Sequence, residues 1–337
     1  ESDSMGEVHI PAWAYWGAQT QRAVQNFGVS EHRIPSSMIR ALALIKKHAA
    51  RANAELGLID AKLADAVVRA AEEIYEGKWD DHFPIDVFQT GSGTSWNMNA
   101  NEVIANRANE ILGQPVGTRN PVHPNDIVNR GQSSNDVIPT AVHVADRMEL
   151  EQALPRVRTL AQSLAAKGAE FSRVVKLGRT HLQDAVPMTL GQEFSGFAVQ
   201  IQKCADRLEN TFSNLEELAL GGTAVGTGIN CHPDMPDIAI RGIAADSGLP
   251  FRPAVNRFEA IAARDAQVEL MGAINVLAGA LMKIANDLRL LASGPRGSIG
   301  EIVLPSLQPG SSIMPGKVNP VIPEMVIQVA AHLMGKV

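Results

Sequence analysis

The sequence has little cysteine and no excess of positive charge. It contains 2 cysteines, Cys204 and Cys231, which are too few for a disulfide framework and belong to no Cys-x-x-Cys pair. This usage is typical of a reducing compartment, so we predict a cytoplasmic location. The net charge of −6 excludes a general basic surface for nucleic acid or an anionic membrane.

Long apolar runs and targeting signals are also missing. No uninterrupted apolar run approaches the roughly 20 residues that a membrane-spanning helix needs. The acidic start, Glu1-Ser2-Asp3-Ser4, lacks the apolar core of a signal peptide. We therefore expect no membrane and no nucleic acid among the partners.

Helical periodicity dominates the rest of the chain. Apolar residues recur at intervals of three and four through several segments that glycine or proline closes, whereas residues 1–35 are expected to form an irregular arm. The segments predicted to be helical are 36–56, 61–76, 96–111, 136–170, 189–220, 234–247 and 256–292. We predict a mainly α protein with an N-terminal domain over residues 1–132 and a helical-bundle domain over residues 133–337.

The segment 256–292 is apolar around much of its circumference. Ala273, Leu277, Leu281 and Leu288 are among the residues that cover its successive faces. A helix that is apolar all round must be buried on most sides. One chain supplies too few partner helices for three such segments, which favours a bundle shared by several chains. A monomeric bundle with a tight alanine-rich core is the alternative.

An irregular stretch near the end of the sequence has the composition of a binding loop. Residues 309–320 contain three prolines and two glycines, which exclude a regular helix or a central strand. The glycines leave main-chain N–H groups uncovered, and Lys317 adds a cation. A base at Ser311 requires that its alkoxide be stabilised, which these groups could do. We predict a site for a small, doubly charged anion; an ordinary surface loop is the alternative.

Two further polar clusters precede predicted helices. Residues 90–95, Thr-Gly-Ser-Gly-Thr-Ser, place hydroxyls and free N–H groups at a helix start, which suits an anion or serves as a plain cap. Residues 123–126 and 132–136 present neutral hydrogen-bonding side chains that suit carboxylate oxygens, or cap a helix. His123 and Asp126 lack further ligands at the spacing of a metal site.

A fourth cluster, residues 178–184, centres on His181. A histidine in a polar turn between two long helices is a plausible acid or base, because its reference pKa lies near neutrality. A structural histidine is the alternative. Glu324, on the helix that follows Pro323, is a carboxylate that could orient and charge such a histidine.

Together, the four clusters resemble the motifs of one family. The stretch Gly310-Ser311-Ser312-Ile313-Met314-Pro315-Gly316-Lys317-Val318-Asn319-Pro320 is similar to the signature of the fumarase/aspartase superfamily. Residues 90–102, 123–126, 132–136 and 178–194 match its class II fumarase branch, and the resemblance runs through essentially the whole chain. Aspartate ammonia-lyases usually have Gln in place of His181 and Thr in place of Ser134, so both positions take the fumarase form.

The resemblance implies a fold and an assembly. Members of this family have a small mixed N-terminal domain and a mostly helical subunit. Their long helices form the central bundle of a homotetramer, with active sites shared between subunits. Family chains continue well past Val337, so we expect an incomplete helical bundle here, without the family's C-terminal domain.

The resemblance also implies the chemistry, which is the reversible hydration of fumarate to L-malate in the tricarboxylic acid cycle. No cofactor and no metal are implied. Ser311 would remove the C3 proton of malate to give an aci-carboxylate intermediate, and His181, paired with Glu324, would handle the water. The residues implied to bind this C4 dicarboxylate are Ser92, Thr94, Ser133, Ser134, Asn135, Thr180, Ser312, Lys317 and Asn319.

A second, non-catalytic dicarboxylate site is implied at His123, Asn125 and Asp126. The arginine that usually precedes this motif is replaced by Asn120, although Arg119 lies beside it. Three other interpretations remain open: an aspartate ammonia-lyase, a non-catalytic member of the superfamily, and an inactive fragment. The joint presence of the serine, lysine, asparagine, histidine and glutamate named above argues against a non-catalytic protein.

Overall fold

The structure, a computed structural model, describes residues 1–336 and is mainly helical. Helices make up 57% of the chain, which confirms the predicted class. They are α1 (Ala18–Asn26), α2 (Ser36–Glu55), α3 (Ala61–Tyr75), α4 (Thr94–Ile111), α5 (Ser134–Glu170), α6 (Leu190–Asn210), α7 (Phe212–Leu215), α8 (Met235–Ser247), α9 (Arg257–Ala262), α10 (Asp265–Leu291) and α11 (Val321–Met334). Short 3-10 and π turns cover Asp80–His82 and Pro124–Val128.

Six short strands form three two-stranded sheets. They are β1 (Ser2–Asp3), β2 (Gly6–Glu7), β3 (Val175–Thr180), β4 (Gln183–Thr189), β5 (Glu217–Leu218) and β6 (Arg252–Pro253). The pairs β1–β2 and β3–β4 are antiparallel, whereas β5 and β6 run parallel.

Two of the long predicted helices are wrong in extent. The segment 189–220 is helical through α6 and the short α7, with a break at Thr211, and then enters the strand β5. The segment 256–292 is broken between α9 and α10, where Ala263 takes an extended conformation (φ −84°, ψ 159°). The guanidinium of Arg264 donates to the carbonyls that end α9, an interaction that apolar periodicity does not report.

The arm expected at residues 1–35 is more ordered than predicted. It contains β1, β2 and α1, whose start is capped from a distance in sequence. The buried carboxylate of Glu102 in α4 accepts from the main-chain N–H groups of Gly17, Gln19 and Thr20 at 2.9–3.1 Å. Such a cap supplies acceptors that the local sequence lacks, so α1 could not be predicted from its own residues.

The chain divides into two compact units. Unit 1 comprises Glu1–Glu149 and Ser213–Arg264, and unit 2 comprises Leu150–Phe212 and Asp265–Val337. The predicted domain boundary between residues 132 and 133 stays a prediction.

Unit 1 is built around α2, which packs against α3, α4 and α8. Most of α2 is buried, including Leu42 and Ile45, which are fully enclosed. Each such side chain contributes about 1.5–3 kcal/mol through removal from water. The first turns of α4 and α5, which carry predicted site residues, also belong to this unit and are anchored on its core.

Unit 2 packs α10 against α6 and α11. Its core joins Phe194, Phe197 and Ile201 of α6 to Ala280 and Ile284 of α10. Within this unit, the hairpin β3–β4 precedes α6, and the irregular loop of residues 292–320 connects α10 to α11.

Helix α10 leaves much of its apolar surface uncovered within the chain. Val268 is 69% exposed and Val276 46%. An 18-residue window of α10 has a mean hydropathy of 1.6 and is 28% buried, so the helix is long and apolar enough to cross a membrane. We expected no segment of membrane-spanning length and hydropathy, and α10 is one. A core helix of a water-soluble protein can have the same length and hydropathy.

Candidate active site

The loop of residues 309–320 has no regular secondary structure, as predicted. The hydroxyl oxygen of Ser311 accepts from the main-chain N–H groups of Ile313 (3.3 Å) and Met314 (3.0 Å). Hydrogen bonds to the charged form of a group favour that form. These donors therefore point at the oxygen that would carry the negative charge of an alkoxide.

Contacts across the base of this loop hold it closed. The N–H of Gly310 donates to the Lys317 carbonyl at 2.7 Å, and the Asn319 side-chain amide donates to the Gly310 carbonyl at 3.0 Å. A Cβ at Gly310 would lie 2.6 Å from the Asn319 side chain, so only glycine fits. The amide nitrogen of Asn319 thus supports the loop, while Lys317 and Ser312 are exposed.

Lys317 and Glu324 line the same cleft of about 630 Å³, together with Arg289. Glu324 lies in the first turn of α11 and is half-buried. The cleft combines two cationic side chains with one carboxylate, a set that can bind an anion and hold an acid or base beside it.

His181 lies at the tip of the hairpin β3–β4. Thr180 pairs with Gln183, which leaves His181 and Leu182 as a two-residue turn, with φ of 54° and 64°. Positive φ at both central residues defines a type I′ turn, which matches the twist of a hairpin. The predicted polar turn between helices is therefore the end of a β-hairpin. Thr180 and His181 lie at this end, and both side chains are exposed.

A charged cluster connects the hairpin to the irregular loop. Glu301, nine residues before Gly310, contacts Lys176 of β3 at 2.7 Å and the guanidinium of Arg179. Lys176 also contacts Glu193 of α6 at 2.5 Å. Burial alone would raise the pKa of Glu301, but the two cationic partners outweigh it and lower that pKa. Through the carboxylate of Glu301, the irregular loop is therefore bound to the cationic side chains of the hairpin.

In unit 1, the start of α4 presents Ser92 and Thr94. Their hydroxyl oxygens lie 2.8 Å apart. Gly93 between them has φ of 71°, and a Cβ there would lie 2.9 Å from Ile138 of α5. Glycine is therefore required for this turn to approach α5, which carries the next cluster.

That cluster, Ser133, Ser134 and Asn135, opens α5. The Ser134 hydroxyl oxygen accepts from the Asn97 side chain of α4 at 3.0 Å, and Asn135 donates to the carbonyl of Ala224 at 2.8 Å. The starts of α4 and α5 are therefore neighbours in unit 1, joined by the Asn97–Ser134 hydrogen bond and by the approach of Gly93 to Ile138.

Asp136 lies beneath these residues and is fully buried. Its carboxylate accepts at 2.9 Å from the main-chain N–H groups of Ser133, Gly221 and Thr223. Burial raises the pKa of Asp136, and these N–H groups act against that rise. This carboxylate fixes the backbone of the cluster to the segment that follows β5.

The second predicted site forms a tight local motif. The Nδ1 atom of His123 accepts from the N–H groups of Asn125 (3.2 Å) and Asp126 (3.3 Å) at the start of the π turn. The Asp126 carboxylate is 77% exposed, and Arg119 contacts Glu1 at 3.4 Å. His123 thus acts as a cap here, and its role toward a dicarboxylate stays a prediction.

The predicted residues fall into two groups. Unit 1 holds Ser92, Thr94, Ser133, Ser134, Asn135 and the second site, whereas unit 2 holds Thr180, His181, Ser311, Ser312, Lys317, Asn319 and Glu324. Over residues 1–336, the structure contains no hydrogen bond or ion pair between His181 and Glu324. Their pairing stays a prediction, as do the roles of all these residues.

Sequence reasoning missed the polar residues that support the cluster at the start of α5. Lys46, Asn97, Asn101 and Asn129 are all buried or half-buried and hydrogen-bonded there. The signal was present: α4 has asparagines at helical spacing among buried alanines, and Lys46 interrupts the apolar face of α2.

No group of three or more His, Cys, Asp or Glu side chains within residues 1–336 is arranged to hold a metal ion.

Comparisons with known proteins agree with the motifs. A family model described as Lyase matches residues 6–335. The chain is 56% identical to a class II fumarate hydratase of Thermus thermophilus, over 99% of the chain and 72% of that protein. It is 53% identical to the mitochondrial fumarate hydratase of Rattus norvegicus, over 99% of the chain and 66% of that protein.

Structural comparison leads to the same group. The crystal structure of a class II fumarase from Schistosoma mansoni aligns with a TM-score of 0.96 at 43% identity, covering 99% of this chain and 74% of that one. This likeness confirms the fumarase-like fold expected from the motifs. The chain belongs to the class II fumarate hydratase family of lyases.

Proposed function

We propose that this protein hydrates fumarate reversibly to L-malate, with Ser311 as the base that acts on C3 of malate. The observation that carries the proposal is the pair of main-chain N–H groups on the Ser311 hydroxyl oxygen, in a loop that matches the family signature. A serine so placed has a stabilised alkoxide, as removal of a very weakly acidic C–H proton requires.

Most of the barrier in this reaction is the negative charge that develops on the substrate. When the C3 proton leaves, the electrons delocalise into the adjacent carboxylate to give an aci-carboxylate. Lys317 and the free N–H groups of the loop would hold this dianionic carboxylate, with Asn319 beside them. Preorganised donors of this kind contribute about 10² to 10³ in rate each.

His181 would serve the hydroxyl side of malate, as general acid in dehydration and as general base toward water in hydration. Its position at an exposed hairpin tip supports this role, because an exposed imidazole can meet a substrate that other elements hold. Glu324 would orient it. Ser92, Thr94, Ser133, Ser134, Asn135, Thr180 and Ser312 would bind the carboxylates.

We infer further that the protein acts as a homotetramer whose subunits share active sites. The exposed apolar faces of α10 support this, because stranding them in water is unfavourable at roughly 25 cal/mol per Å². The division of site residues between two units also fits a site completed by other copies. A cytoplasmic location stays a prediction.

One assay tests the proposed reaction. With water alone, the ultraviolet absorbance of fumarate should fall as malate forms, and it should rise from malate. The runner-up reaction, release of ammonia from aspartate, is followed in parallel. Ammonia release at a rate that rivals malate dehydration would overturn the proposal, which rests on His181 and Ser134.

A further inference from the structure

Lys46 is a fully buried lysine near the predicted carboxylate-binding cluster. Its side chain has 0% exposure, although lysine is almost never fully buried unless paired. Its ammonium donates to two neutral oxygens, Asn129 Oδ1 at 2.8 Å and Gln132 Oε1 at 2.9 Å. No carboxylate lies within ion-pair distance of it in residues 1–336. When this amine is protonated, its charge is therefore held at a desolvation cost without a direct counter-ion.

Asn129 is the centre of the network around Lys46. Its Oδ1 atom also accepts from Asn97 (3.3 Å) and Asn101 (3.2 Å) of α4, and its amide donates to the Gln132 carbonyl at 3.1 Å. The Gln132 amide in turn donates to the carbonyls of residues 128 and 130. The network fixes the turn that leads directly into Ser133.

The network reaches two residues of the cluster that follows, Ser133 and Ser134. Asn97, bonded to Asn129, also donates to the Ser134 hydroxyl oxygen. Asp136, the carboxylate whose charge acts on Lys46, accepts from the N–H of Ser133. Burial lowers the pKa of Lys46, and the nearby Asp136 carboxylate opposes that shift without cancelling it. When Lys46 is protonated, a positive charge thus lies close to hydroxyls and amides that would face a dianion.

We propose that Lys46 is a positioning residue of the carboxylate subsite formed by Ser133, Ser134 and Asn135. Its ammonium holds Asn129 and Gln132 in register and supplies a buried positive potential that favours a C4 dicarboxylate. The proposal rests on the proposed function, since it assigns these three residues to substrate binding. Burial of the cation in a low-dielectric core makes its field on the subsite stronger than that of a surface lysine.

The test compares Lys46→Met with Lys47→Met in the full-length protein. Methionine keeps the length of the side chain and removes the charge. Lys47, the next residue, is half-buried and forms ion pairs with Glu72 (2.9 Å) and Asp246 (2.7 Å), outside the network. At pH 6, below the pKa of about 7 that burial gives Lys46, we expect Lys46→Met to raise KM for malate at least tenfold and to weaken succinate binding, measured by calorimetry, by the same factor. Lys47→Met should change both less than twofold.

A merely structural role gives a different pattern. The active fraction and melting temperature of Lys46→Met would then fall, while KM and succinate affinity of the folded fraction matched those of the wild type. That result would overturn the proposal. If Lys46→Met does not fold, Asn129→Asp takes its place, because it keeps the lysine and puts a neutralising carboxylate beside it. Succinate affinity should again fall at least tenfold, and unchanged affinity would refute the inference.

The two proposals fail in distinguishable ways. If the wild-type protein does not hydrate fumarate, the proposed function fails before any variant is compared. If the wild type is active and both Lys46→Met and Asn129→Asp bind succinate as it does, only the role of Lys46 fails.

Discussion

At the scale of single residues, the environment of Ser311 is built by its own neighbours. The two N–H groups that meet its hydroxyl oxygen come from residues two and three positions further on. This arrangement is local, which explains why the loop could be identified from composition and motif alone. The support beneath the other cluster is not local, since Lys46 and Asn129 lie 83 residues apart.

Ser311→Ala should lower kcat by several orders of magnitude and leave dicarboxylate binding largely intact, because it removes a group that acts only in the transition state. Steady-state kinetics and succinate binding measure the two effects separately. Ser306→Ala, in the same irregular loop but outside the motif, is the matched control and should retain normal turnover. A Ser311→Ala enzyme with a tenth of wild-type kcat would remove this residue from the mechanism.

Lys46 also predicts how stability depends on pH. Burial lowers its pKa to about 7, against an unfolded value near 10.5, with Asp136 opposing the shift. Between these values the unfolded chain binds a proton that the native chain has lost. The free energy of unfolding should therefore rise with pH across this window, by up to about 1.4 kcal/mol per pH unit from this group.

Urea denaturation at pH 7, 8 and 9 measures this dependence. The difference in unfolding free energy between the wild type and Lys46→Met should increase with pH, whereas the difference for Lys47→Met should stay constant. A pH-independent difference for Lys46→Met would show that the lysine keeps an ordinary pKa in the native protein.

At the scale of secondary structure, the well-predicted elements are those whose signals are local. Helix α3 begins after Asp60, whose carboxylate accepts from the N–H groups of Lys62 and Leu63, and it ends before Gly77 at φ 91°. Helices α2, α4, α5 and α8 also match their predicted segments closely. The hairpin β3–β4 escaped prediction because Val175 and Val186 are exposed at 74% and 70%, without the alternation of a half-buried strand.

The position of His181 depends on the close approach of the two strands of this hairpin at Gly178. A Cβ at Gly178 would lie 2.9 Å from the Val186 carbonyl, next to the register shift between Leu177 and Arg179. Gly178→Ala should force the strands apart and lower kcat at least tenfold, since a displacement of about 1 Å can cost about a hundredfold.

Gly28→Ala is the control for this substitution, because a Cβ there meets no atom within 4 Å. Its activity and melting temperature should match those of the wild type. Equal activities of the two variants would mean that the hairpin tolerates the change or that His181 does not need this placement.

At the scale of the whole molecule, the sequence predicted an apolar central helix that needs partners from other chains. Within one chain, Val268 and Val276 of α10 are exposed, and their burial by other chains stays a prediction. The start of this helix at Asp265 could not be predicted from the sequence. The break before it depends on the extended backbone conformation of Ala263 and on the hydrogen bond from the Arg264 side chain to the Ile261 carbonyl.

Val276→Asp should weaken assembly, because it places a charge on an apolar face that the proposed tetramer buries. Light scattering on the purified protein should show a lower mass at micromolar concentration, with a loss of hydratase activity. Val29→Asp, at a position 71% exposed in the connection between α1 and α2, should leave the mass unchanged. A Val276→Asp protein of wild-type mass would exclude this face from the interface.

The burial of Lys46 has a chemical consequence beyond binding. Reagents that acetylate amines reach Lys78, whose side chain is 59% exposed, in the folded protein, but they reach Lys46 only when unit 1 opens. The mass gained at Lys46 during labelling therefore records how often that unit opens. Peptide mapping of the acetylated protein would therefore measure the opening of unit 1 at Lys46, without any substitution in the chain.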